Sequence, residues 1–389
     1  MDMSLKTMHL AEGLLLLLLT ACRPAAPDPG RMEQDWTMYR GDPALSGYTA
    51  QPLPQHPTLL WEYRSGVRCV SSPVVYGGTT YFCHRRGGLK GLDDQGRLVF
   101  EYDLGAAVEA PLLVADSVLY LGRMDGTVCA LSLKEKKLLW SAETEGQISA
   151  APVLAQSGDR RRLVVGSYDN CMYTFDLADG AVVGKVSTGY YLNGAAALQQ
   201  DYALFGGCDA WLRILHLPSG QVTDSFKLEA YIPASPALWE DMVHVADYQG
   251  NLYQFKLSGG KITGLRKLLA GSDDTEGMTS MPAVGPRQTI VLYRGRHLCC
   301  LGRDGQLRWQ TLLKSATGDS SPLICGKQVL SCTGNGMVSI HDLADGRLLW
   351  EYETGEQVVA SPVVSGGRFF ILTAKGSLLC FGESSSSQS

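Results

Sequence analysis

The sequence predicts an all-β chain folded as a single eight-bladed β-propeller, with four-stranded antiparallel blades. Three observations predict it: a repeat of about forty residues, four strand-like runs inside each repeat, and an N-terminal run that supplies the strand missing from the last repeat. The period is marked by Ser72-Pro73, Ala110-Pro111, Ala151-Pro152, Ser235-Pro236, Met281-Pro282, Ser321-Pro322 and Ser361-Pro362. Their prolines fall at intervals of 38, 41, 84, 46, 40 and 40 residues. The interval of 84 holds two periods, and Gly194-Ala195-Ala196-Ala197-Leu198 stands where one proline copy is missing.

The third interval shows the unit. Residues 149–154 and 162–167 are short apolar runs, residues 170–175 alternate in character, and residues 181–186 follow the turn Ala178-Asp179-Gly180. Short runs bounded by Gly, Asp and Ser read as strands, and Asp-Gly reads as a tight hairpin turn. No stretch between the N-terminal region and the tail has helical periodicity. A parallel β-helix would need much shorter coils, and a sandwich needs no strict period.

The ends predict ring closure. The final copy supplies runs at 358–364, 368–373 and 377–381 but no fourth. The text Thr58-Leu59-Leu60-Trp61-Glu62-Tyr63 matches the fourth-strand text Leu348-Leu349-Trp350-Glu351-Tyr352. The N-terminal strand is therefore expected to complete the last blade and remove the open edges of a linear array. A proline cannot donate to a ladder, so the repeat prolines belong at the start of the innermost strands, and the small residues before them suit the crowding there. Trp61, Trp140, Trp309 and Trp350 are expected to end the outermost strands and to pack between blades.

Ahead of the propeller, residues 13–21 form an apolar core too short to span a bilayer. It ends in Leu19-Thr20-Ala21-Cys22, which resembles a bacterial lipobox. That resemblance implies removal of residues 1–21 as a signal peptide and acylation of Cys22; multiple chains anchor a soluble domain firmly. The basic end of this segment is weak, since Lys6 is opposed by Asp2 and Glu12. Residue 23 is Arg rather than the Asp of an inner-membrane retention signal, so the expected location is the periplasmic face of the outer membrane. Residues 22–35 then read as the acylated Cys with a stiff Pro-rich tether, 36–381 as the propeller, and 382–389 as a disordered Ser-rich tail.

Composition narrows the function. The net charge of −5 with scattered basic residues argues against a nucleic-acid surface. Charged residues are 19% of the chain, as suits a large all-β body with much buried strand. Besides Cys22, most cysteines, such as Cys83, Cys129, Cys171, Cys208, Cys332 and Cys380, fall in strand text, one to a blade. They read as buried free thiols, with disulfides as the alternative in an oxidising compartment. No Cys-x-x-Cys or His-x-x-x-His spacing occurs, so no metal site is predicted.

The unit Ala/Asp-x-x-Asp-Gly-x-x-x-Trp, then Thr-Gly, then Ser-Pro-Val-Val, resembles the PQQ-type repeat of quinoprotein dehydrogenases and their non-enzymatic relatives. The opening Asp35-Trp36-Thr37-Met38-Tyr39-Arg40-Gly41-Asp42-Pro43 with Ser46-Gly47 is similar to the lead-in of that family. The enzymatic branch implies a quinone on the propeller axis, a calcium ion, an Asp base and a vicinal disulfide. Cys299 and Cys300 are adjacent here, but they lie in strand text, where alternation sends them to opposite faces. The chain also lacks large insertions, so no catalytic residue and no cofactor are predicted.

The length, single ring and lipobox resemble instead the BamB family, lipoproteins of the outer-membrane β-barrel assembly machine. That resemblance implies a non-catalytic monomeric scaffold that binds the barrel insertase, with another envelope complex or a polysaccharide as the alternative partner. The family's binding surface uses a Leu-Arg-Gly loop entering the fourth blade and an acidic loop at the fifth. Here the fourth-blade loop is Tyr190-Tyr191-Leu192-Asn193-Gly194, with Asn in place of Arg, and Tyr231-Ile232-Pro233-Ala234 at the fifth has no acidic pair. Tyr190, Tyr191 and Tyr231 sit in connections into innermost strands, so they are expected on one face, either as a protein-binding anchor around Leu192 or as rings that plug the axial channel or pack between blades. Asp273, Asp274 and Glu276 lie in a long connection on the same face, there to receive a basic partner or to solvate a loop.

Overall fold

The computed structural model describes residues 35–271, 277–316 and 318–384. Cys22, the segments before residue 35, the acidic residues Asp273, Asp274 and Glu276, and the tail beyond residue 384 lie outside the described residues. The strands form eight sheets, each an antiparallel blade of four strands, in simple sequence order in seven of them, with a fifth short strand added to one. Blades 1 to 7 begin with the innermost strands Val74–Tyr76, Leu113–Ala115, Val153–Ser157, Ala197–Gln199, Ala237–Trp239, Ala283–Val284 and Leu323–Cys325. Blade 8 takes Val363–Ser365, Arg368–Leu372 and Ser377–Gly382 from the C-terminus and Thr58–Arg64 from the N-terminus. Thr58 pairs with Gly382 and Arg64 with Ser377, and the innermost strand of blade 8 touches that of blade 1. The ring is closed as the sequence predicts, and the fold is an eight-bladed β-propeller.

The apolar core fills the gaps between blades. Successive residues on a strand point to opposite faces, so each blade feeds two gaps. Cys299 and Cys300 show this directly: Cys299 joins Ala246, Leu252 and Met278 in the gap to blade 5, and Cys300 joins Ile324 and Val329 in the gap to blade 7. The ten described cysteines are free thiols, and all but Cys208 are buried.

The serines of the repeat do more than save space. Ser321 Oγ accepts the N–H of Met281 at 2.9 Å, Ser361 Oγ that of Ser321 at 3.1 Å, and Ser72 Oγ that of Ser361 at 3.0 Å. Each bond joins one blade to the next at the axis, and Ser235 repeats it with Ala195 at 2.7 Å. Where the following blade carries serine at this position, its hydroxyl accepts the N–H of the residue before the proline, as for Met281, Ser321 and Ser361.

The tryptophans pack between blades, but they stand in mid-strand rather than at strand ends. In all eight blades a register shift interrupts the pairing of the third and outermost strands, as between Leu59 and Trp61 or Leu138 and Trp140. A bulge bends a strand and re-aims the side chain that follows. Trp61, Trp140 and Trp309 thereby donate Nε1–H to the carbonyls of Asp94, Leu177 and Leu343 in the next blade, at 2.9–3.1 Å. The indoles lie over the turn glycines Gly96, Gly180 and Gly346, which have φ near +75° and no room for a Cβ beneath the ring. The Asp-Gly and Trp of the repeat are thus two halves of one contact made by neighbouring blades.

The lead-in occupies the channel. Carbonyls of Trp36, Thr37, Pro43, Ala44, Ser46 and Gly47 accept the N–H of Val75, Val114, Leu198, Leu238, Val284 and Ile324. Each of these donors is the second residue of an innermost strand, in blades 1, 2, 4, 5, 6 and 7. The inner edges of the ring are therefore capped by one circling segment. From it Arg40, 1% exposed, donates to the carbonyls of Pro322 and Pro282 at 2.7 and 3.0 Å. Burial pulls its pKa down to about 10, so it remains a cation at neutral pH.

Candidate protein-binding face

Strand direction sorts the connections. Turns from outermost to next innermost strand, and from second to third strand, emerge on one face, here called upper; the other turns form the lower face. On the upper face the second-to-third connection places Arg85, Met124, Tyr168, Cys208, Tyr248, Gly334 and Ala374 at one position in seven blades. Each of these residues donates its N–H to the blade-to-blade connection beside it, as Tyr168 does to Gln147, Cys208 to Tyr191 and Tyr248 to Tyr231.

Across blades 3 to 5 this register brings aromatic rings together. Tyr168 stacks on Tyr191 with centroids 5.2 Å apart, and Tyr190 lies 4.4 Å from Tyr191. One blade on, Tyr231 stacks on Tyr248 at 4.4 Å. Tyr190, Tyr191 and Tyr248 are 50%, 41% and 40% exposed, so these rings face solvent rather than plugging the channel. Burial, with the Tyr248 phenol beside it, pushes the Tyr231 phenol up to about 12, so it stays neutral at physiological pH.

Asp209 fixes this arc. Its carboxylate accepts the N–H of Gly189 at 2.9 Å and that of Trp211 at 3.1 Å, and it pairs with Arg213. In the preceding blade Asp169 has the same role, accepting from the N–H of Glu145 at 3.1 Å and from the Tyr173 hydroxyl at 2.5 Å. The loops are thus held from below, which orders the exposed rings in advance of any contact.

The other residues singled out in the sequence divide. Leu192 is fully buried, wedged between Gly166 and Gly207, so it holds the loop and is not offered to a partner. Asn193 donates from Nδ2 to the Cys208 sulfur at 3.5 Å. Gly194 passes so near the backbone of Ala234 that a Cβ would lie 2.8 Å from its carbonyl oxygen. Asp273, Asp274 and Glu276 lie outside the described residues, but Gly277 just after them packs on the Tyr248 ring. A cavity of about 300 Å³ continues the arc there, lined by Tyr248, Met278, Thr279, Tyr293, Arg294 and Asp319. Tyr168 and Tyr248 were not anticipated; aligning the second-to-third connections of the repeats would have placed both on this face.

The fold also invites a test for the quinone and calcium of the enzymatic branch. Cys299 and Cys300 face separate buried gaps and cannot flank a ring on the axis. The lower channel is filled by the lead-in, with Arg40 reaching upward along the axis. Among the described residues no group of three His, Cys, Asp or Glu could hold a metal ion. The residues do not fit that cofactor set.

Comparison with known proteins agrees with this geometry. A family model described as outer membrane protein assembly factor BamB matches residues 55–203, 85–291 and 294–388. Curated relatives of that name include those of Shewanella oneidensis, 20% identical over 70% of this chain and 71% of the relative, and Yersinia pestis, 19% identical over 86% and 92%. Among solved structures, BamB from Moraxella catarrhalis superposes with a TM-score of 0.69 at 17% identity, over 84% of this chain and 100% of that one. A europium-containing methanol dehydrogenase superposes at 0.74 with 12% identity, over 90% and 98%, which reflects the shared propeller alone. With the family model matched along nearly the whole ring, the chain belongs to the family of outer membrane protein assembly factor BamB.

Proposed function

We propose that this protein is a non-catalytic, lipid-anchored scaffold of outer-membrane β-barrel assembly, holding a protein partner against its upper face. The observation that carries the reading is the pre-ordered row of tyrosines over blades 3 to 5, exposed yet braced by Asp169 and Asp209. Large rigid aromatics of this kind anchor protein interfaces at low entropic cost. The partner in this reading is the barrel insertase or another envelope protein. Acylation at Cys22 would keep the ring at the periplasmic face of the outer membrane, and Asp273 and Asp274 would extend the contact beyond Tyr248. The outer blade edges suit strand addition poorly, because every outermost strand is bulged.

The test is a photo-crosslinking amino acid placed at Tyr190 or Tyr248 in the acylated protein in cells. The insertase is expected as the dominant adduct, with no such adduct from Val183, exposed on an outermost strand. Tyr191→Ala with Tyr231→Ala should reduce it at least ten-fold, equivalent to about 1.4 kcal/mol or more of binding. Equal adducts from Val183, or none with the insertase, would overturn the assignment, and adducts to glycan would favour a polysaccharide, whose rings stack on tyrosine faces equally well.

A further inference from the structure

The lower face carries a cleft that the tyrosine arc does not touch. It opens between blades 6 and 7 and encloses about 500 Å³, within the range of small-molecule sites. Its walls are apolar: Tyr48 from the lead-in, Pro286, Ile324 and Leu343. Tyr48 is held edge-on against Trp239 at 4.8 Å, and it packs with Leu343 on the core shared by blades 6 and 7.

Glycine at residue 285 leaves room at the floor of the cleft. The same place in the other blades, the third residue of the inner strand, holds Tyr76, Ala115, Ala155, Gln199, Trp239, Cys325 or Ser365. A Cβ at residue 285 would lie 3.2 Å from Tyr48 Cδ2 and 3.3 Å from Ile324 Cδ1, narrowing the floor. The gap between blades 3 and 4 has no such opening of this size, since Arg162 crosses it to the Leu217 carbonyl at 2.7 Å. Between blades 6 and 7 the matching residue is the shorter Gln288, 3.4 Å from the Leu343 carbonyl.

Charge at the mouth is equally distinctive. The turns leaving the innermost strands carry Asp116, Asp159, Asp201 and Asp241 in blades 2 to 5, but Arg287 in blade 6 and Lys327 in blade 7. Both cations are exposed, and among the described residues neither side chain meets a carboxylate or another acceptor. Asp342 is the one acid of the lining, and it is occupied within its own turn, accepting the Ala344 N–H at 2.8 Å with Arg347 at 3.9 Å.

We propose that this cleft binds an amphipathic anion, its apolar chain against Tyr48, Ile324 and Leu343 and its carboxylate or phosphate between Arg287 and Lys327. The apolar walls favour burial of a hydrocarbon chain, and two unpaired cations at one rim favour a single anionic end there. The ligand chemistry has two sources, a free amphiphile or a membrane lipid.

Calorimetric titration of the purified protein with dodecanoate, below its micellar concentration, tests the site. One saturable site is expected, weakened at least ten-fold by Arg287→Glu with Lys327→Glu and lost in Gly285→Leu, with dodecanol binding far more weakly. The rim variant alters only exposed side chains, so its thermal midpoint should match the parent and keep the test valid if Gly285→Leu misfolds. Sedimentation with phosphatidylcholine vesicles, with and without phosphatidylglycerol, identifies the source. Phosphatidylglycerol-dependent binding lost in the rim variant assigns a membrane lipid, and dodecanoate binding without it assigns a free amphiphile. No saturable binding in either arm, or binding indifferent to the rim charges, overturns the proposal.

Discussion

Two buried histidines make stability depend on pH. His244 is enclosed between blades 5 and 6, its Nε2 meeting Gln254 at 2.9 Å and Thr289 at 3.3 Å, and burial lowers its pKa to about 3. His341 in blade 7 is lowered to about 4, again by burial. Below the unfolded pKa of about 6.5 the unfolded chain binds protons that the native ring refuses, so stability is full above that pH and falls as acid is added. Each histidine is expected to remove about 2 kcal/mol between pH 6.5 and pH 5. Urea unfolding at the two pH values measures the loss, and His244→Gln should flatten the slope. A second residue-scale prediction concerns Cys208, the one half-exposed thiol among the described residues, on the face that carries the tyrosines. A maleimide at pH 8.5 is expected to label Cys208 alone in the native ring, slowly because burial raises its pKa, and partner binding should protect it. At this scale the sequence was partly legible. Ser72, Ser321 and Ser361 read as small residues near an axis, but their hydroxyls accept hydrogen bonds from neighbouring blades, and no local pattern announces a partner 40 or 289 positions away. Leu192 read as a surface anchor because Gly166 and Gly207, which make room for it, belong to other hairpins.

The recurring element is a bulged outermost strand whose tryptophan covers a glycine of the next blade. Gly346 sits at φ 74°, and a Cβ there would lie 2.4 Å from the Trp309 ring. Gly346→Ala is therefore expected to cost about 2–3 kcal/mol, from left-handed backbone strain plus displacement of the indole. Gly220, at φ 68° with open space around it, should lose only the backbone contribution, about 1 kcal/mol. Urea denaturation of the two variants separates conformational strain from packing. The position of each tryptophan in the repeat was legible, but its place within the strand was not, because a bulge leaves no mark in the alternation of residues. The lead-in was legible only as a likeness. It has no period because it circles the axis, meeting a different blade every few residues. Arg40→Ala should cost about 3 kcal/mol, since two axial carbonyls lose their donor and a cavity opens on the axis. Thermal unfolding of that variant checks whether the segment is structural or merely parked in the channel.

The whole molecule is set by closure. Strand count, blade number and the N-terminal contribution to blade 8 followed from the repeat interval, because a period of one blade carries its architecture in every copy. The upper face was legible to a lesser degree: connection order placed Tyr190, Tyr191 and Tyr231 together, whereas their stacking on Tyr168 and Tyr248 depends on loop geometry across blades. Closure itself is testable through cooperativity. Trp61 anchors blade 8 to blade 1 through Asp94, and Trp140 anchors blade 2 to blade 3 through Leu177. In an open array of repeats, end units fray independently, and loss of a terminal contact produces an early partial transition. In a closed ring every interface is internal, so the seam should behave like any other gap. Trp61→Ala and Trp140→Ala are each expected to cost about 2–3 kcal/mol, less than a fully buried large-to-small change because both indoles are half-buried. Both should shift one urea transition, followed by fluorescence and by circular dichroism, without changing its steepness. An added low-urea step in Trp61→Ala alone would mean that the N-terminal strand closes the ring loosely and that blade 8 opens by itself.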